Sequence, residues 1–205
     1  RKLLMMLGVL VLSLVGCGVT DSSSDSSGED KVQVVTTIAQ IGDITENIGG
    51  DLVEVESLMG PGVDPHLYNA VQSDIQKLTH ADIIFYNGLN LEGQMEDIFE
   101  EMEKDKPTIA VATHVPENEL LADPESPTIS DPHIWFDIDR WKYAVEAVKQ
   151  GLVELDPDNE EEYEQNYNAY IEELDELHPY AISRFDEIPE QSRVLVTAHD
   201  AFNYF

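Results

Sequence analysis

The sequence predicts an α/β protein of two parallel-sheet lobes bridged by one long helix, with the second lobe truncated in this chain. Three observations predict it. From residue 32 to residue 156, short apolar or β-branched runs alternate with amphipathic helical stretches, the order that builds a parallel sheet covered by helices. A long helical stripe follows, and a further β-branched run, Arg193 to Thr197, begins shortly before the sequence stops at Phe205.

The first residues are not part of that fold. Arg1 and Lys2 precede an apolar run from Leu3 to Val15, broken only by Gly8 and Ser13. A helix that spans a bilayer takes about 20 apolar residues, so this shorter run reads as a signal-peptide core. Its end, Leu14-Val15-Gly16-Cys17, resembles the bacterial lipobox. Residues 1–17 are therefore expected to be a lipoprotein signal, with Cys17 acylated as the first residue of the mature chain. Cys17 is the sole cysteine, so no disulfide supports the core. Residues 18–31 read as a flexible tether, because Thr20 to Asp30 is almost all Ser, Asp, Gly and Glu and holds too little apolar surface to fold.

Residues 32–156 read as the N-terminal α/β lobe. Val32 to Thr37 is a short β-branched strand; Ile38, Ile41, Ile44 and Ile48 follow at helical spacing, stopped by Gly49-Gly50. Leu52 to Leu58 is a second strand, and Val71, Ile75 and Leu78 mark a second helix. Asp82 to Tyr86 is a third strand, Leu91 to Met102 a third helix, and Thr108 to Ala112 a fourth strand. A looser stretch with Pro116, Pro124 and Pro127 leads to the helix of Trp141, Ala144, Val145, Val148 and Leu152.

Residues 157–190 read as the long connecting helix. Asp156 caps it, Pro157 takes the first position, and Glu160, Glu161 and Glu162 suit the positive end of its dipole. Its apolar stripe runs through Tyr163, Tyr167, Tyr170, Ile171, Leu174 and Leu177, and Pro179 is expected to kink or interrupt it. Residues 191–205 read as the start of the C-terminal lobe, with Arg193 to Thr197 as its first strand.

Charge narrows the function. The chain carries 11 basic and 42 acidic residues, a formal net charge of −31. Such a field disfavours nucleic acid, which is bound through its phosphates. Diffuse acidity attracts cations without forming a site, and solubility in a salty medium explains it as well.

Three of the six histidines share a setting. Asp64-Pro65-His66 follows the second strand, Asp131-Pro132-His133 lies beyond the fourth, and His199 follows Arg193 to Thr197. Ligands of open parallel sheets bind beyond the carboxyl ends of the strands, so histidines far apart in sequence can converge there. Proline stiffens the backbone before each imidazole, and the aspartate two residues earlier is a candidate acceptor for the second ring N–H. One Asp-Pro-His alone is equally well a turn; two, with a strand-end histidine, favour a metal site. His80 at a helix end reads as a cation suited to the helix dipole, and His178 as solvated. His114, which also follows a strand, is left outside the site.

These strings resemble the solute-binding lipoproteins of zinc and manganese ABC transporters, also called adhesin-like lipoproteins. The resemblance rests on Asp64 to Tyr68, Phe85 to Glu92, Asp131 to Asp137 and Thr197 to Phe205, in order along the chain. It implies two α/β lobes, a rigid connecting helix, and His66, His133 and His199 as ligands of a divalent transition metal held in the cleft. It further implies an acidic fourth ligand beyond Phe205, a monomer anchored to the membrane by lipid, and an ABC importer permease as partner. Ligand type favours zinc, since manganese prefers oxygen donors. The stretch from Val115 to Ser130 holds none of the histidines that many zinc-dedicated members carry there, so the metal stays open. Two other readings stand beside this non-enzymatic one. Three histidines with an open position also describe a zinc hydrolase, although the sequence has no His-Glu-x-x-His. A surface adhesin with a structural metal would use the anchor and tether equally well.

Overall fold

A computed structural model describes residues 31–205 apart from residue 125. The expected signal, Cys17 and nearly all of the tether lie outside the described residues. Four strands form one parallel sheet: β1 (Val32–Thr36), β2 (Val53–Ser57), β3 (Ile83–Tyr86) and β4 (Thr108–Ala110), in the order β2-β1-β3-β4. The α/β class and parallel sheet are those expected. Val34, Val35, Ile83, Ile84 and Phe85 are all buried, which is why these strands read as continuous apolar runs rather than alternating ones.

The chain moves outward from β1 to β2 and then returns past β1 to β3, and this reversal of strand order puts a crevice at the carboxyl ends of β1 and β3. Helix α1 (Ala39–Gly49) buries Ile41, Ile44 and Ile48 completely. Helices α2 (Gln72–His80), α3 (Glu96–Met102) and α4 (Ile138–Leu155) follow. Packing of α4 on the sheet requires Gly151, where a Cβ would stand 2.8 Å from the Phe85 ring. Helix α5 (Glu160–Asp186) lies along α1 and α4. Tyr163 is fully buried and donates to Asp156 Oδ2 at 2.8 Å, Asn166 Nδ2 donates to the Ile48 carbonyl at 2.9 Å, and Tyr170 donates to Asp43 at 2.8 Å.

Four expectations change. The long helix runs through Pro179 without a break. Pro179 and Asp175, whose carbonyl loses its donor, are both exposed, so water can satisfy that carbonyl. Pro157 opens a 3-10 turn (Pro157–Asn159) and α5 starts after it. Helix α3 begins at Glu96, because left-handed backbone at Leu89 and Asn90 turns the preceding segment. Most consequentially, Arg193 to Thr197 is not a strand. Val194 and Val196 are 76% and 87% exposed. A β-branched run becomes a strand only beside a ladder partner, and none of the described residues offers one. No helix among the described residues is long and apolar enough to cross a membrane.

Candidate metal centre

A buried carboxylate ties together the strand ends that flank the crevice. After β3 the backbone takes positive φ at Gly88, Leu89 and Asn90 (79°, 52° and 63°). That reversal folds Glu92 back onto the strand end. Its carboxylate accepts from Thr37 Oγ1 at 2.6 Å, the Asn87 amide at 2.8 Å and the Gly88 amide at 3.1 Å, joining the ends of β1 and β3. A left-handed φ disfavours any L residue at 88, and a Cβ there would also meet the Ala110 Cβ at 2.9 Å. Burial pushes the Glu92 carboxyl above its ordinary value, against the pull of those donors. The fixed Asn87 then donates from Nδ2 to the Pro132 carbonyl at 3.0 Å, pinning the second Asp-Pro-His loop across the crevice.

On that loop His133 is 4% exposed and Asp131 fully buried. Asp131 Oδ1 accepts from the His133 backbone N–H at 2.9 Å and from its ring Nδ1 at 2.7 Å. Burial alone would raise the Asp131 carboxyl, but the ring and backbone hydrogen bonds from His133 outweigh it and hold the carboxyl below its usual value. An ionised carboxylate only accepts, so Nδ1 carries the proton and a neutral ring leaves Nε2 bare. Trp135 covers the ring edge-on at a centroid distance of 5.2 Å.

His66 approaches from the β2–α2 loop. Asp64 Oδ1 accepts from its backbone N–H at 2.9 Å, and the loop is anchored beyond it by Tyr68, which donates to the buried Asp74 at 2.7 Å. His199 reaches in from the segment after α5. His66 Nε2 and His199 Nε2 each lie 3.2 Å from His133 Nε2. The ligating nitrogens of all three rings fall within 4.8 Å of one another, and the rings stand mutually edge-on. Tetrahedral zinc, with bonds of about 2.0–2.1 Å to imidazole, sets its ligand atoms roughly 3.3 Å apart, so the spacing fits such an ion. Burial, then the neighbouring His133 and His199, lower the His66 pKa, which favours the neutral ring that binds metal.

The structure thus brings together His66, His133 and His199. His114 is exposed and outside the cluster. His80 caps its own helix, Nδ1 lying 2.6 Å from the Gln76 carbonyl. His178, expected to be solvated, is partly buried and lines an apolar cavity with Phe136, Ile182 and Phe185. Sequence reasoning assigned no role to Thr37, Asn87, Glu92 or Tyr204. The Asn-Gly pair after a strand was the available signal for a tight turn at 87–88.

The family described as ZnuA, zinc-uptake complex component A, periplasmic, matches residues 34–205. The manganese-binding lipoprotein MntA of Bacillus subtilis is 47% identical over 94% of this chain and 62% of its own length. The zinc-binding protein TroA of Treponema pallidum is 43% identical over 89% of this chain and 59% of its own. A solved structure of that periplasmic zinc-binding TroA superposes with a TM-score of 0.82 at 44% identity, covering 85% of this chain and 62% of that one. The chain therefore spans about three-fifths of the length of the relatives it matches.

Proposed function

The chain belongs to the ZnuA family of periplasmic zinc-uptake components, and from that premise we propose that it captures a divalent transition metal, zinc or manganese, for an ABC importer. His66, His133 and His199 bind the metal as cargo. The observation that carries this reading is the meeting of three imidazole Nε2 atoms, two of them 3.2 Å from the third.

Each residue has a task. His133, fixed by Asp131, supplies a preset lone pair from the protein interior. His66 and His199 bring theirs from the two sides of the crevice, and Trp135 limits water at one edge. Three neutral imidazoles suit zinc; a carboxylate in the fourth position, expected beyond residue 205, would bring the oxygen that manganese prefers. Relatives named as lipoproteins, two of them of metal ABC transporters, support acylation at Cys17, an extracytoplasmic, membrane-tethered location and delivery of the metal to a permease.

The reading is of a binding protein without catalysis. Hydrolysis would need a base facing a metal-bound water, and the aspartates of the two Asp-Pro-His loops are engaged: Asp131 with the His133 ring and Asp64 with the His66 backbone. The test is titration of zinc and of manganese into the full-length protein and its histidine variants. His133→Ala should lose more than the roughly 10–100-fold in affinity that follows removal of an outer-sphere partner, while His114→Ala should leave affinity unchanged. Equal losses in the two would reject the assignment.

A further inference from the structure

The segment that carries His199 is joined to the first lobe not by a strand but by a docked patch centred on one buried phenol. Residues 193–200 are exposed, yet Tyr204 is only 7% exposed. Its hydroxyl accepts from the Leu121 amide at 3.0 Å and donates to the Asp131 carbonyl at 3.0 Å. Burial holds the phenol above its ordinary value, so the donor proton is present across the physiological range. The Arg140 guanidinium lies over the ring, 5.3 Å from its centroid. On either side Phe202 packs on Phe136 at 4.3 Å between centroids, and Asn203 Nδ2 donates to the Ala122 carbonyl at 3.2 Å. A turn closed by the Ala201 amide on the His199 carbonyl at 3.0 Å connects this docked patch to the imidazole.

Asp131 is therefore held from two directions. Its carboxylate orients the His133 ring, and its carbonyl receives Tyr204. We infer that Tyr204 is a positioning residue that sets the His199 imidazole against His133 by latching residues 199–205 to the backbone of the His133 loop. The latch makes the third imidazole a fixture of the first lobe, so the three-nitrogen face forms without a strand at 193–197. This inference rests on the metal-capture reading above.

Removing one hydroxyl tests it. In the full-length protein, Tyr204→Phe keeps the ring and should weaken zinc binding about tenfold, the lower end of what loss of an outer-sphere partner costs, as measured by chelator competition. If the residue acts through His199, the same substitution made in a His199→Ala background should add no further loss. An equal loss in both backgrounds, or none in the parent, would overturn the proposal. A second arm needs no metal. Amide exchange at Leu121 in the metal-free protein should speed up in Tyr204→Phe and stay unchanged in His199→Ala. A parent protein that bound neither zinc nor manganese would end the metal-capture reading, and the exchange arm would still decide the latch; unchanged exchange at Leu121 would reject it.

Discussion

The tripeptide Asp-Pro-His occurs twice, at 64–66 and 131–133, and the two copies fold alike locally but not in their surroundings. In both, the aspartate Oδ1 accepts from the histidine backbone N–H at 2.9 Å. That bond is a short-range turn that the tripeptide makes on its own. Only in the second copy does the carboxylate also take the ring Nδ1, at 2.7 Å. Asp131 is fully buried under Tyr204 and beside the Asn87 clamp, whereas Asp64 is exposed on a loop with the glycines at 60 and 62. Sequence thus encodes the turn, and burial decides whether the ring is fixed. On the metal-capture reading the pair would divide the labour: one imidazole preset in the interior, one on a loop open to solvent.

The largest expected consequence lies in affinity. Asp131→Asn should weaken metal binding by about 10–100-fold, because it replaces a carboxylate that only accepts with a neutral amide whose NH2 can face Nδ1 and favour the other His133 tautomer. Asp64→Asn should fall short of the low end of that range, about tenfold. Titration of both variants by chelator competition decides it, and equal losses would erase the distinction between the loops.

Stability comes next. Asp131→Ala leaves the buried His133 amide and Nδ1 without acceptors, at about 1–3 kcal/mol for an unsatisfied buried group. Asp64→Ala, on the surface, should stay within about 0.5 kcal/mol of the parent. Urea unfolding of the metal-free proteins measures both, and a larger loss in Asp64→Ala would reverse the comparison.

A smaller effect sharpens the account of the open loop. Burial, then His133 and His199, hold the His66 pKa below its ordinary 6.5. Between that lowered value and 6.5 the unfolded chain binds a proton that folded His66 refuses, so metal-free stability should rise with pH across this window and level off above it. His66→Ala should flatten that rise, and an unchanged slope would show that His66 is as accessible to protons folded as unfolded.

Much of this was legible in the sequence, for reasons that also mark where legibility ends. Strands β1 and β3 announce themselves because strands buried on both faces must be apolar at successive positions, as Val34-Val35 and Ile83-Ile84-Phe85 are. Val194-Leu195-Val196 carries the same signature and is not a strand, since a ladder needs a neighbour that local composition cannot supply. The three histidines stood out through their loops and strand ends. The groups that hold them did not. Asn87 reaches the His133 loop across 45 residues and Tyr204 reaches Asp131 across 73. Glu92 is one carboxylate among 42 acidic side chains, and nothing in its own neighbourhood separates a buried anion from a solvated one.

The central claim is that His66, His133 and His199 form one metal-binding face. X-ray absorption at the zinc edge of the zinc-loaded, full-length protein tests it most directly. The account predicts three imidazole nitrogens at about 2.0–2.1 Å, falling to two in each of His66→Ala, His133→Ala and His199→Ala. A zinc site whose imidazole count does not change in those variants would contradict it.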